Sequence, residues 1–183
     1  MNLIITSDKG ISIGSDLKEK LQSIVSLIFS DEGLVDKEIN LRILNDKEMQ
    51  KLNHQFRNKN NTTNVLSFRS DDISTKLTKN IGDIAISSEY VLREAKDEGK
   101  TFEDHMIHML AHGVYHILGY DHQNEETALI MENKEINILN KININTSIAE
   151  PMPTITSKLF KYSSISCIYI INTNNYKKPF YHP

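Results

Sequence analysis

The sequence predicts an α+β domain: a small β-sheet of about four strands packed with helices, one of them a zincin-like metal helix. Three observations predict it. Four short apolar or alternating runs precede residue 87. Longer stretches between and after them repeat apolar residues at helical spacing. A histidine-rich segment, 105–122, then sets two ligand-type side chains on one helical turn and a third beyond a glycine.

Leu3 to Ile5 forms the first strand. From Ser15 the pattern turns helical, with Leu17, Leu21, Ile24, Val25 and Ile28 at i, i+4, i+7, i+8 and i+11 on one face. Gly33 lies beyond that helix. Ile39, Leu41 and Ile43 alternate with Asn40 and Arg42, the period of a half-buried strand. Asn45 can cap the next helix with Glu48 as partner, and Met49, Leu52 and Phe56 form its buried stripe. Val65, Leu66 and Phe68 make a strand, and the polar stretch Ser70 to Lys79 reads as an exposed loop or hairpin tip. Ile81 to Ile86 is the fourth strand, with Gly82 and Asp83 read as turn and strand-start residues. Ser87 or Ser88 caps a helix reaching about Glu98, ended by Gly99 and Lys100. Thr101 with Asp104 opens the histidine helix, Gly119 ends it, and a last helix runs from about Glu125 to Ile142.

Near Asn145 the character changes, with Pro151, Pro153 and many Ser and Thr. Residues 1–145 therefore read as the folded domain and 146–183 as a C-terminal extension, expected to be poorly ordered. Ile168 to Ile171 is the run there that could add an edge strand. The 183 residues suit one domain with such an appendage, and 39% hydrophobic residues can bury a core. A net charge of −3 excludes a globally basic nucleic-acid binder, so any RNA contact must use local cations. Cys167 alone excludes an internal disulfide and a cysteine-rich zinc site. The sequence shows no signal peptide and no run of the roughly 20 apolar residues that a membrane span needs. A soluble, cytoplasmic protein without membrane contact is expected.

His108, His112 and His116 are spaced by four and share a helix face. They cannot all hold one ion, because at ~1.5 Å per residue the outer two lie about 12 Å apart. A helix offers one ion two ligands at i and i+4. Gly119 supplies the means for a third: a left-handed glycine can reverse the chain and return His122 toward His112 and His116. The spacing is that of the metzincin zinc site, except that Gly113 stands where those proteases carry the glutamate base. Three neutral imidazoles leave one coordination place open, which favours hydrolysis over a closed structural site. A structural zinc would need a fourth ligand, for which Asp121 is the nearby candidate. Asp121 could otherwise orient an imidazole, take a proton, or simply serve the turn. His108 and His105, one and two turns earlier than His112, read as supporting or surface residues.

From Leu52 to Phe68 there is no acidic residue, and Arg57 and Lys59 leave a helix into a polar loop, with Arg69 just past the strand. Arginine suits fork-like phosphate recognition, although cations at a helix C-terminus also offset its dipole.

These pieces together carry a family likeness. Leu52-Asn-x-x-Phe56-Arg57-x-Lys59, Thr63-x-Val65-Leu66-Ser67-Phe68, Gly82-Asp83-Ile84 and His112-Gly-x-x-His116-x-x-Gly119-Tyr-Asp-His122 occur in this order over roughly 1–145. The chain resembles the YbeY family of single-strand-specific endoribonucleases, which mature ribosomal RNA. The resemblance implies a small mixed sheet covered by helices, with the metal helix packed behind it. It implies one zinc ion on His112, His116 and His122, with Arg57 near the RNA phosphate. It further implies cleavage of single-stranded RNA around the 3′ end of small-subunit ribosomal RNA, a part in ribosome quality control, and the small ribosomal subunit as partner. Two positions depart from the family pattern: Asn64 replaces its usual Asp, and Arg69 its usual Pro. The first removes a carboxylate that could orient a partner, and the second adds a possible phosphate contact. The same residues allow two other readings: a ribosome-assembly factor with a structural zinc, and another metallohydrolase such as a peptidase with its base outside the helix.

Overall fold

The computed structural model describes residues 2–71, 75 and 78–144. The expected extension 146–183, with its run Ile168 to Ile171, lies outside the described residues, as does much of the expected loop between Ser70 and Lys79. Four strands, β1 (Leu3–Ser7), β2 (Glu38–Leu44), β3 (Val65–Arg69) and β4 (Asn80–Ser87), form one sheet in the order β1-β2-β4-β3. β1, β2 and β4 run parallel, and β3 pairs antiparallel with β4 at one edge, so the sheet is mixed as the resemblance implied. Five helices accompany it among the described residues: α1 (Ser15–Asp31), α2 (Asp46–Arg57), α3 (Ser88–Asp97), α4 (Phe102–Leu118) and α5 (Glu125–Asn140).

Strand alternation decides which helix covers which face. Ile39, Leu41, Val65, Ile84 and Ile86 point to one side and join the apolar stripe of α1 and the buried residues of α4 in the main core. Leu66, Phe68 and Ala85 point to the other, where Met49, Leu52 and Phe56 of α2 cover them. Phe56 meets Phe68 edge-on at 5.0 Å between ring centres. α4 is the buried centre of the molecule, packed on β3 and β4 and flanked by α1, α3 and α5. Such a position explains why its sequence is apolar nearly all round.

Local signals set the helix ends. Asn45 accepts from the Glu48 amide at 2.9 Å, and Thr101 accepts from the Asp104 amide at 3.0 Å. α5 stops at Asn140, two residues before the expected end, in a final turn. The reading of Gly82 and Asp83 as turn and strand-start residues is corrected. Both lie within β4, with Gly82 beside Ile39 and Arg69 and Asp83 beside Asn40 and Phe68. A Cβ on Gly82 would come within 2.7 Å of Ile117 Cδ1 and 2.8 Å of the Phe68 carbonyl oxygen. Glycine there lets α4 lie close against the sheet. Asp83 is buried and accepts from the side-chain amides of Asn40 and Asn80 at 2.7 and 3.0 Å. No helix among the described residues is long and apolar enough to cross a membrane.

Candidate metal centre

His112 and His116 occupy the last two turns of α4, both only 1% exposed. Gly119 closes the helix at φ +99°, and the chain turns so that His122 comes back beside them. One ligand atom from each of the three imidazoles lies within 4.8 Å of the other two. The ring centres of His122 stand 5.6 Å from His112 and 5.1 Å from His116.

The outer nitrogens of the helical pair are both held. His112 Nδ1 donates to Glu135 Oε1 at 2.6 Å, and His116 Nδ1 donates to the Tyr120 carbonyl at 2.9 Å. A carbonyl only accepts, and so does an ionised carboxylate, so both protons sit on Nδ1. The two Nε2 atoms then face each other 3.2 Å apart as acceptors. Two lone pairs at that separation need positive charge between them, either a proton on one ring or a metal ion. Burial, followed by the neighbouring His112 and His122, pushes His116 down to about 3, which keeps it neutral. His122 is lowered for the same reasons, burial first and then His112. A shared proton would serve two of the three rings, whereas an ion serves all three. Two ligands of a tetrahedral zinc at ~2.0–2.1 Å lie roughly 3.3 Å apart, so the spacing fits the group.

Supporting residues lock this geometry. Burial alone would raise the Glu135 carboxyl, but the His112 and His108 rings hold it well below the ordinary carboxylate range. Its second oxygen accepts from His108 Nε2 at 3.3 Å. Tyr120, whose carbonyl serves His116, donates its hydroxyl to Glu32 Oε2 at 2.9 Å. Lys134 lies over the Tyr120 ring at 4.8 Å and reaches Glu32 Oε1 at 2.6 Å. The turn carrying His122 is therefore pinned to α1 and α5.

The sequence-flagged residues divide accordingly. His112, His116 and His122 are brought together. His108 lies behind them on Glu135, and His105 pairs with Glu94 at 2.8 Å farther back along the helix. Asp121 takes the turn role, its Oδ1 accepting from the Gln123 amide at 3.2 Å. Arg57 ends α2, which covers the opposite sheet face from α4. Asn64 is buried and donates to both Glu94 oxygens at 3.1 and 3.4 Å, where a carboxylate would meet like charge. Its oxygen accepts from the Val65 amide at 2.8 Å. Sequence reasoning missed Glu135 and Glu94. Glu135 had a readable signal, since it falls in the stripe of Met131, Ile138 and Leu139, where an apolar residue is the rule.

A family model described as endoribonuclease YbeY matches residues 3–143. A Bartonella quintana endoribonuclease YbeY is 43% identical over 137 residues, covering 74% of this chain and 86% of the relative. A relative of the same name from Francisella tularensis subsp. novicida is 35% identical over 151 residues, 79% of this chain and 90% of its own. One from Ruthia magnifica is 40% identical over 131 residues, 71% and 87% respectively. The solution structure of a Thermotoga maritima protein superposes with a TM-score of 0.54 at 24% identity, over 83% of this chain and 99% of that one, and supports the fold. By the extent of these matches and the shared architecture, the chain belongs to the YbeY endoribonuclease family.

Proposed function

We propose that the protein is a metal-dependent endoribonuclease that cleaves single-stranded RNA in ribosomal RNA maturation, with one zinc ion on His112, His116 and His122. The observation that carries this reading is the convergence of three buried or half-buried imidazoles, two of them with Nδ1 already engaged and Nε2 turned inward. The activity is assigned to residues 1–145. The family relationship supports RNA as substrate, and the resemblance of the motifs supports the 3′ end of small-subunit ribosomal RNA and the small ribosomal subunit as partner; the cytoplasm is the expected setting.

When bound, the zinc ion supplies Lewis acidity toward a phosphate oxygen or a water molecule. Glu135 and the Tyr120 carbonyl fix the two helical imidazoles in the tautomer and orientation that binding requires. Arg57 is assigned to the phosphate. It follows Phe56, which rests on Phe68 of the edge strand, and the family resemblance supports the assignment. Either water or the RNA 2′-hydroxyl can attack, and the product ends, linear or cyclic phosphate, report which. A peptidase of the metzincin type would need its base in the place of Gly113, whereas one with its base outside the helix is told apart by offering the protein peptides beside RNA. A Cβ on Gly113 would meet Ser67 Oγ at 3.0 Å and Ile84 methyl carbons at 3.2 and 3.3 Å, so a side chain at 113 would be driven into the sheet.

The test is metal analysis beside cleavage of a single-stranded RNA by the same preparation. Zinc near one equivalent and RNA cleavage, both lost in His116→Ala with an unchanged circular dichroism spectrum, are expected. Full cleavage by a triple His112, His116 and His122 to Ala variant would defeat the proposal. Ribosome association that survives Arg57→Ala, without turnover, would instead mark an assembly factor with a structural ion.

A further inference from the structure

We propose, resting on the nuclease reading above, that Arg69 binds a phosphate of the RNA backbone at the Gly119 turn, beside the metal centre. Arg69 ends the edge strand β3, two residues after Ser67, so the two side chains leave the same sheet face. Ser67 marks that face as the α4 side, since its hydroxyl donates to the Gly113 carbonyl at 3.2 Å. Following that face, Arg69 carries its guanidinium to the end of α4. Its Nη1 lies 3.2 Å from the position a Gly119 Cβ would take.

Gly119 stands midway between two candidate ligands, three residues after His116 and three before His122. Its missing side chain thus permits the left-handed turn and also leaves room for the guanidinium. Arg69 is exposed at the end of β3, and a planar guanidinium suits the oxygens of a phosphate. A polyanionic strand laid along the β3 edge toward the imidazoles meets this cation at the end of the path. With a net charge of −3, the protein depends on such local cations for RNA contact. The competing role is structural, a cation set against the C-terminal dipole of α4. The two roles separate in salt dependence, because only a phosphate contact releases counterions from RNA.

The experiment measures binding of a labelled single-stranded RNA oligonucleotide to the zinc-loaded full chain over a range of KCl, with zinc content and cleavage recorded in parallel. Arg69→Ala should weaken binding about tenfold at low salt, the scale of one charge-assisted contact. It should also flatten the plot of log affinity against log salt by ~0.7, the value of one phosphate on a single strand. Arg69→Lys should keep the slope while recovering only part of the affinity. Zinc content should stay at the wild-type value in both. Arg69→Ala with a wild-type slope would overturn the assignment, and so would a binding loss matched by loss of zinc. Wild-type protein that binds RNA without cleaving it would overturn the nuclease reading, with the slope still deciding Arg69. Wild-type protein that binds no RNA would overturn both.

Discussion

Two groups of metal-type side chains draw histidines from helix α4, and they are built in opposite ways. Glu94, Glu98 and His105 bring their ligand atoms within 4.8 Å of one another, as do His112, His116 and His122. In the first group the ligand atoms are spent on neighbours. His105 Nε2 donates to Glu94 Oε2 at 2.8 Å, Asn64 donates to the same carboxylate, and Lys100 holds Glu98 at 2.5 Å. Nδ1 of His105, on the far side of the ring, has no hydrogen-bond partner among the described residues. In the second group the carboxylate and the carbonyl take Nδ1, and Nε2 is left facing the other rings. Proximity alone does not make a metal site. What matters is which ring nitrogen the supporting partner occupies, because that choice decides whether a lone pair points into the cluster.

The largest expected effect sets the two groups apart directly. His122→Ala should lower zinc affinity by more than the 10–100-fold typical of a supporting residue, whereas His105→Ala should keep full zinc content, both read by metal analysis after dialysis. Equal zinc loss in the two variants would erase the distinction. Next in size, Glu135→Gln should weaken zinc binding by about tenfold or more in a chelator competition, since it loosens the His112 ring, while Glu94→Gln leaves zinc affinity unchanged. The role of the first group is structural, so His105→Ala should cost about 1–3 kcal/mol in urea unfolding by leaving Glu94 short of a buried partner. A change within error would show that the pair contributes nothing net. Smallest of all, Lys100→Ala should cost at most about 1 kcal/mol, because the Glu98 pair is partly exposed and screened.

The helix-end and ligand-spacing features were legible because they are short-range. Asn45 with Glu48, Thr101 with Asp104, and Gly119 after His116 act over three or four residues, within which one turn of backbone determines who meets whom. The alternation at Ile39, Leu41 and Ile43 and the stripe from Leu17 to Ile28 were readable for the same reason. The interior glycine of β4 was misread, since Gly82 looks like a turn residue until Ile117 and Phe68 are seen against it.

The sequence by itself determined the helices, the strands, the cap residues and the bend that returns His122 to its partners, all set by local chain geometry. Only the tertiary structure decided the order β1-β2-β4-β3, the antiparallel edge strand that carries Arg69 to Gly119, and the choice of Glu135 for His112, 23 residues away. These depend on how apolar faces of distant elements pack together. That packing, rather than spacing along the chain, brings a carboxylate to one nitrogen of a ring and leaves the other facing its fellow ligands.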